Sequence, residues 1–256
     1  MEVVRLTLPD TANKPTVCET TAYREIQDTL DLCRRLGQIG VITGPTGCGK
    51  TTACKAFAKV RHNNARYLRV TIAANSSQPF LHRLCDVIGG YPQPNAGKCE
   101  LYELALRNLY DGDLVIIDEG NHLTSEVIQI LRDLHDEARS RNSRRIGIVF
   151  VGTPEMTELW NKRRNGKGSD AFAAFRARIG QTAELKGVGE ADIDALCVHF
   201  GLKGKRERDV IAKVAKAWDG LHNVDQLMAN ARLLAGSVSA ISSDHLFQAA
   251  SVMGSR

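Results

Sequence analysis

The chain has 256 residues, of which 43% are hydrophobic, 25% are charged and 5% are aromatic. This composition excludes a disordered or fibrous protein, and the length predicts one large domain or a large domain with a small appendage. Lysine and arginine total 34 against 29 acidic residues, for a formal charge of +5. A charge of this size does not by itself establish a nucleic-acid partner.

The cysteines and the N-terminus indicate a compartment. Seven cysteines form no C-x-x-C pair and have no histidine at metal-ligand spacing nearby, so we expect reduced thiols. The sequence begins without a basic region followed by an apolar stretch, and no apolar run is long enough to span a bilayer. We therefore expect a cytoplasmic protein with no membrane partner.

The first half of the chain alternates predicted helices and strands. Residues 1–20 are predicted to form an extended arm, and helical spacing of Ile26, Leu30, Cys33 and Leu36 predicts a helix over 21–36, capped by Thr20 or Thr21. The elements predicted next are strand 39–43, helix 51–60, strand 67–72, a helix capped by Ser76 or Ser77, helix 99–110, strand 114–117, helix 124–139, strand 146–151 and strand 181–185. This order predicts an α/β fold with a parallel sheet and a functional edge at the carboxyl ends of its strands.

Only helices are predicted after Gly187. They cover 190–200, 207–218, 223–235 and 243–253, and the glycine-rich stretch at 186–190 is the expected hinge. We therefore divide the chain into an arm at 1–20, an α/β domain at 21–187 and an all-helical domain at 188–256.

A phosphate-binding loop is predicted between the first strand and the second helix. Its residues Gly44, Pro45, Thr46, Gly47, Cys48, Gly49, Lys50 and Thr51 fit the pattern G-x-x-x-x-G-K-[ST], and Thr52 follows. The glycines let backbone N–H groups surround phosphate oxygens, Lys50 reaches the β- and γ-phosphates, and the Thr51 hydroxyl completes a Mg²⁺ shell. The sequence thus predicts ATP and Mg²⁺ as cofactors, with an ordinary glycine-rich turn as the alternative.

Polar residues follow two of the predicted buried strands. Asp118 ends the strand from Leu114 and is the predicted metal ligand, acting through water, while Glu119 is placed to polarise a water for attack on the γ-phosphate. The pair indicates hydrolysis rather than binding alone. Thr153 follows the next strand and is a candidate sensor of the γ-phosphate, although it also suits the N-cap of a helix that begins with Pro154.

Two arginines precede the last predicted strand. Arg176 and Arg178 stand beside apolar anchors, where a rigid guanidinium could stabilise the transition state on a neighbouring subunit's γ-phosphate. Such a finger requires an oligomer. The alternative is a surface arginine pair.

This set of features resembles the AAA+ ATPases, and within them the transposition target-selection ATPases that include the phage Mu B and TniB groups. The resemblance runs from about Tyr23 to Met253, and its more specific carriers are LVIIDEGNHL, IGIVFVGTPE and FRARI. It implies a three-layer α/β/α P-loop sheet with a C-terminal helical lid. It also implies an ATPase that forms helical filaments on duplex DNA without sequence specificity and recruits a transposase, in a bacterial cell or in the host of a phage.

The resemblance also assigns residues. It favours Arg178 over Arg176 as the finger, and it implies DNA contacts from the loops at 73–78 and 95–98. The candidate DNA ligands in these loops are Asn75, Ser76, Ser77, Asn95 and Lys98, which are polar donors suited to phosphate oxygens. Solvated connections are the alternative for both loops. A second candidate basic surface lies at 139–145, and it could instead contact a neighbouring subunit.

Two departures from the family pattern bear on function. Mu B proteins carry an N-terminal helix-turn-helix domain, whereas only about twenty residues precede the first predicted helix here. The lid pattern Gly-x-x-Arg reads Gly220-Leu221-His222-Asn223, so Asn223 cannot supply the usual cation, and Arg232 lies farther along the helix. The rival functions are an AAA+ helicase loader or replication initiator, and a secretion-type AAA+ ATPase that does not bind DNA.

Overall fold

The computed structural model describes residues 17–60, 62, 64–162, 169–216, 220–236 and 241–254. The strands are Ile39–Thr43 (β1), Ala65–Arg69 (β2), Leu114–Asp118 (β3), Gly147–Gly152 (β4) and Ile179–Glu184 (β5). The helices are Thr21–Leu36 (α1), Lys50–Lys59 (α2), Ser77–Ile88 (α3), Lys98–Asn108 (α4), Ser125–Asn142 (α5), Pro154–Lys162 (α6), Ser169–Arg176 (α7), Glu190–His199 (α8), Lys205–Lys216 (α9), Leu221–Ala235 (α10) and Ser243–Gly254 (α11). The predicted arm before residue 17 and the side chains of the basic residues at 162–167 lie outside the described residues.

Within these ranges, one parallel sheet has five strands in the order β2-β3-β4-β1-β5. All five residues of β3 are buried, which explains its unbroken apolar run. In the register, Arg69 lies beside Asp118, and Thr43 lies beside both Gly152 and Glu184. The carboxyl ends of all the strands therefore meet at one edge of the sheet.

Helices cover both faces of the sheet, which confirms the predicted three-layer α/β/α fold. Alternate residues of β3 point to opposite faces, so Leu114 and Ile116 pack with α1 and α2, whereas Val115 and Ile117 pack with α3, α4 and α5. Phe150, Trp160 and Phe175 close the second layer with edge-to-face ring contacts, their centroids 5.3 to 5.6 Å apart.

The first helix packs unusually close to the sheet. Thr20 caps α1 as predicted, since its hydroxyl accepts the Tyr23 N–H at 3.2 Å. A Cβ atom at Gly40, the second residue of β1, would lie 2.5 Å from Cys33 Sγ, so glycine allows the close approach here. The absence of a side chain at Gly40 thus allows α1 to pack closely against the amino end of β1.

The helices after Gly187 share a separate core, built around Ile193, Ile211, Leu227 and Leu246. Asp192 ties this core to the start of α1, because its carboxylate accepts the N–H of Thr21 at 2.6 Å and the N–H of Gly189 at 2.9 Å. The carboxylate caps α8 and holds the helical region against the first helix at the same time.

Two sequence predictions differ from the structure. The second strand was predicted over 67–72 but covers Ala65–Arg69, because its partner β3 ends at Asp118 and the chain then leaves the sheet. Ile72 instead lies in a 3₁₀ turn and is 74% exposed. The helix α7 was not predicted.

Candidate active site

The phosphate-binding loop runs from the end of β1 to the start of α2. Gly47 and Gly49 have φ values of 76° and 92°, which residues with a Cβ rarely adopt. Gly44 faces Leu185, whose Cβ would lie 2.7 Å from a Cβ added at Gly44. The loop therefore needs its glycines both for its turn and for its contact with the neighbouring strand, and its N–H groups are available to an anion at the start of α2.

Lys50 folds back over this loop. Its Nζ donates to the carbonyl oxygens of Gly44 at 2.7 Å and Pro45 at 2.8 Å. These bonds hold the ammonium group within the loop without a carboxylate partner. A phosphate in the loop would offer Lys50 charged acceptors in place of neutral carbonyls.

Thr51 and Asp118 meet directly across the site. The Thr51 hydroxyl donates to Asp118 Oδ2 at 2.7 Å, and the Tyr67 hydroxyl donates to the same oxygen at 2.6 Å. Asp118 Oδ1 accepts the Glu119 N–H at 2.9 Å. Burial and the bond to Asp118 raise the pKa of Tyr67 well above its ordinary value, so Tyr67 remains a donor.

A hydroxyl and a carboxylate side by side are oxygen ligands that suit Mg²⁺, which usually completes its shell with water and substrate phosphates. Among the described residues, no cluster of three histidine, cysteine or acidic side chains could hold a metal alone. The donor set thus fits a magnesium ion that arrives with a nucleotide.

Glu119 pairs with the end of β2. Its backbone is left-handed, with φ of 59°, and its Oε1 lies 3.2 Å from Nη2 of Arg69. Arg69 is the last residue of β2 and pairs in register with Asp118. The strained backbone aims the carboxylate at the neighbouring strand, where Arg69 pairs with it.

Thr153 lies at the carboxyl end of β4 and lines the same cleft as Lys50 and Asp118. Its hydroxyl bonds to the Glu155 carboxylate, and this bond together with the charge of Lys50 lowers the pKa of Glu155. The helix α6 begins at Pro154, as predicted. Thr153 is therefore placed both to face a phosphate and to precede a helix.

The cleft above the loop has a volume of about 880 Å³. Its walls are residues 17–23, the phosphate-binding loop and the lid, with Leu221, Asp225, Met228 and Arg232 forming one stripe along α10. The Leu221 N–H donates to the Gly47 carbonyl at 2.9 Å, so α10 begins directly on the phosphate-binding loop. The opening is large enough for a nucleotide.

The cleft contains Arg232 and not Asn223. The Arg232 guanidinium lies 6.0 Å from the centre of the Phe200 ring. Eleven residues separate Arg232 from Leu221, which is about 16 Å of helix, so Arg232 lies at the far end of the cleft from the loop. Arg232 thus lies away from position 223, where the family pattern has an arginine.

Arg178 lies at the opposite edge of the sheet. It immediately precedes β5, whose first residue, Ile179, pairs with Ile39 at the start of β1. A strand of five residues separates that position from Gly44, a distance of about 15 Å. Arg178 Nη2 pairs with Asp136 of α5 at 3.1 Å, and Arg176 ends α7. Neither arginine lines the cleft of its own chain.

The predicted DNA ligands lie together at the starts of α3 and α4. The Gln78 side chain donates to the Ala96 carbonyl at 3.0 Å, which joins the loop that carries Asn95 to the loop that carries Ser76. Asn75 donates to the His122 carbonyl at 3.1 Å. The loop at 73–78 therefore contacts the chain segment that directly follows Glu119.

One acidic residue lies within this group. Glu126, in the first turn of α5, pairs with Lys98 and bonds to the Ser77 hydroxyl. Both contacts lower the pKa of Glu126, so the carboxylate stays charged. Two of the predicted DNA ligands are thus occupied by an intramolecular acceptor.

Several arginines of the second predicted basic surface, at 139–145, make contacts within the fold. Arg144 donates to the carbonyl oxygens of Leu106, Arg107 and Leu109, which caps the end of α4. Arg141 pairs with Glu137 and Glu103, and Arg145 pairs with Asp111. Arg144 thus has a structural role, whereas Arg141 and Arg145 are exposed in surface ion pairs, and contact of this run with DNA or a neighbouring subunit stays a prediction.

The site defines a P-loop ATPase of the AAA type. A family model described as AAA domain matches residues 33–160, and one described as Mu B transposition protein, C terminal, matches residues 177–253. The chain therefore belongs to the AAA family, and it is a homologue of the phage Mu B proteins.

Individual relatives agree with this assignment. The ATP-dependent target DNA activator B of Escherichia phage Mu is 27% identical over 238 residues, which cover 92% of this chain and 72% of that protein. The Mu-like prophage FluMu DNA transposition protein B of Haemophilus influenzae is 26% identical over 218 residues, covering 84% and 72%.

Solved structures share the fold. The Aeropyrum pernix ORC2 protein aligns with a TM-score of 0.67 at 19% identity, over 94% of this chain and 70% of that chain. The Thermotoga maritima RuvB Holliday junction branch migration motor aligns with a TM-score of 0.55 at 16% identity, over 91% and 68%. Both support the AAA architecture. None of the described helices is both long enough and apolar enough to cross a membrane.

The prediction from sequence missed two residues at the site. Tyr67 contacts Asp118, and Arg69 contacts Glu119. Tyr67 and Arg69 are two positions apart on one strand, so they share a face of the sheet near its functional edge. This spacing is the feature of the sequence that could have identified them.

Proposed function

We propose that this chain is an ATP-dependent, DNA-binding ATPase that forms filaments on duplex DNA, selects that DNA as a transposition target, and recruits and activates a transposase. The observation that carries the proposal is the match to Mu B proteins over both the AAA region and the helical C-terminal region. The direct contact between these regions, Leu221 to Gly47, supports their action as one unit.

In the proposed reaction, the loop N–H groups and Lys50 bind the phosphates of ATP. Thr51 and Asp118 would hold Mg²⁺, the aspartate through water, and the ion would neutralise charge that develops on the phosphates. Glu119 accepts a proton from water as the water oxygen bonds to the γ-phosphorus. The bond from the γ-phosphorus to its bridging oxygen breaks, and ADP and phosphate leave.

The positions of Arg178 and the nucleotide cleft at opposite edges of the sheet support assembly into an oligomer. Arg178 begins about 15 Å from Gly44 of its own chain, which supports a role on a second copy instead of its own nucleotide. We assign it as the finger, with Arg176 as the second candidate. The ion pair with Asp136 holds Arg178 in place before a neighbour arrives.

Strand β2 supports a link between DNA and hydrolysis. Arg69, at its end, pairs with Glu119, and the chain continues from there into the loop that carries Asn75 and Ser77. DNA phosphates bound by this loop would compete for the nearby donors and shift the end of β2. Release of Glu119 from Arg69 would then make the carboxylate available to water.

We retain the division at 187/188 as part of the proposal. Residues 188–256 form the lid, and the stripe on α10 closes over the nucleotide. The site of action is the cytoplasm of a bacterial cell, where target DNA lies.

Electron microscopy of the purified protein tests this function. The full chain is imaged with ATP or a non-hydrolysable analogue, with and without random-sequence duplex DNA, alongside ATPase rates. Filaments that require both ATP and duplex, and a transposase whose strand transfer they stimulate, are expected. Rings that prefer single-stranded DNA would instead indicate a helicase loader, and an ATPase indifferent to DNA would indicate a secretion-type enzyme.

A further inference from the structure

The Asp118 carboxylate is held by more donors than a P-loop site alone supplies. Its Oδ2 accepts hydroxyl hydrogens from Thr51 at 2.7 Å and Tyr67 at 2.6 Å, and its Oδ1 accepts the Glu119 N–H at 2.9 Å. The residue is 2% exposed, so water does not compete for these positions. Tyr67 comes from a different strand, β2, and reaches diagonally across the ladder from its register partner Ile116.

We infer that Tyr67 is a positioning residue for magnesium, fixing the Asp118 carboxylate in the orientation that holds the metal. This inference rests on the proposed function, because it concerns the same site. A carboxylate oxygen has two lone-pair positions, and the two hydroxyls fill both positions on Oδ2. One lone-pair position on Oδ1 remains free of these donors. The Asp118 carboxylate can therefore accept a hydrogen bond from a metal-bound water in only one orientation.

The phenol is itself held in place. Its ring packs with the α1 and α2 layer of the core, and Lys55 Nζ lies 5.5 Å from the ring centre. The side chain is half-buried, and its hydroxyl bonds to Asp118 at 2.6 Å. A fixed donor of this kind orients a metal ligand without touching the metal.

Tyr67→Phe removes only the hydroxyl and keeps the ring. We expect the Mg²⁺ concentration at half-saturation of ATP binding to rise about 10-fold, the usual size of an outer-shell effect. Binding of a fluorescent ATP analogue in EDTA should stay unchanged, because the loop and Lys50 are intact. Excess Mg²⁺ should restore hydrolysis to near the wild-type rate, which a misfolded site would not allow.

The matched control is Tyr102→Phe. Tyr102 is also half-buried, but it packs with the opposite layer of the core, on α4. We expect no change in its Mg²⁺ titration. Thermal melts of both variants verify folding, and Mn²⁺ binding followed by electron paramagnetic resonance gives a second readout that does not depend on catalysis.

The outcomes separate this inference from the proposed function. A Mg²⁺ titration of Tyr67→Phe that matches wild type, in a folded protein, overturns the role of Tyr67 and leaves the ATPase proposal intact. A wild-type protein that neither binds nor hydrolyses ATP overturns the proposed function, and this inference with it.

Discussion

Arg69 and Glu119 form an ion pair of 3.2 Å between the last residue of one strand and the residue that follows the neighbouring strand. Both side chains are partly exposed, at 58% and 31%, so the pair contributes little to stability, on the order of 0.5 kcal/mol. Its effect is instead on where the carboxylate points. Because Glu119 is the proposed base, we infer that the pair restrains this carboxylate until Arg69 releases it.

Arg69→Ala should therefore free the carboxylate. We expect the ATPase rate without DNA to rise several-fold and the stimulation by duplex to shrink, with the melting temperature nearly unchanged. Steady-state phosphate release with and without DNA measures both. The control is Arg35→Ala, which removes an exposed arginine paired with Asp31 on α1. A lower rate without DNA for Arg69→Ala would contradict the holding role.

Lys50 and Glu119 should separate binding from chemistry. Lys50→Ala should abolish nucleotide binding, since the loop loses its cation. Glu119→Gln should bind ATP normally, hydrolyse it at least about 100-fold more slowly, and leave filaments on DNA that do not disassemble. Binding of a fluorescent nucleotide and single-turnover hydrolysis measure the two effects. Normal hydrolysis by Glu119→Gln would remove Glu119 from the catalytic role.

Arg178 should act on a neighbouring subunit. Arg178→Ala should bind ATP and lose most of its turnover, as should Glu119→Gln. A mixture of the two variants should recover activity, because the first keeps an intact site and the second keeps an intact finger. Arg139→Ala, which changes another arginine near this region, should hydrolyse ATP at the wild-type rate. No recovery in the mixture would place both defects in one subunit.

Glu126 should weaken DNA binding by occupying Lys98 and Ser77. Glu126→Gln removes this competition, so the affinity for duplex should rise several-fold and the salt dependence should steepen by about one unit of the log–log slope. Fluorescence anisotropy at several salt concentrations measures both. Glu100→Gln removes an equal charge in the first turn of α4 and serves as the control. If Glu126→Gln and Glu100→Gln raised the affinity for duplex equally, net charge alone would explain the effect.

Gly40 should matter for stability through its close approach to α1. A Cβ at this position would lie 2.5 Å from Cys33 Sγ, so Gly40→Ala forces the helix and the sheet apart. We expect a loss of about 1–3 kcal/mol in the free energy of unfolding, measured by urea titration. Gly187→Ala, where nothing lies within 4 Å of the added atom, should change it much less. A stability of Gly40→Ala equal to wild type would show that the packing relaxes freely.

The sequence predicts those parts of the site that depend on local order along the chain. Gly44 to Thr51 and Asp118 stand at fixed spacings from the strands they follow, so their positions follow from the pattern. The contacts of Tyr67 and Arg69 depend on the register between β2 and β3, which local pattern does not specify.

Charge patterns were a weaker guide. Arg144 resembles a surface cation in the sequence, yet it binds three carbonyl oxygens at the end of α4, a role that depends on tertiary packing. The apolar residues Val70 and Ile72 favoured a longer second strand. Strand length is set by the partner, and β3 ends at Asp118.

The placement of Arg178 and the cleft at opposite edges of the sheet makes the proposed polymer directional. In an open filament, each added subunit would complete one hydrolytic site and bring one that is incomplete until the next subunit arrives, because a head-to-tail contact that does not close into a ring leaves two unlike ends. At one end of the filament, the bound nucleotide has no Arg178 from a neighbouring subunit. At the other end, Arg178 has no neighbouring nucleotide to contact. ATP at the first end would be hydrolysed more slowly than ATP in the interior. The nucleotide state of a subunit would therefore depend on its position, and the two ends would exchange subunits at different rates.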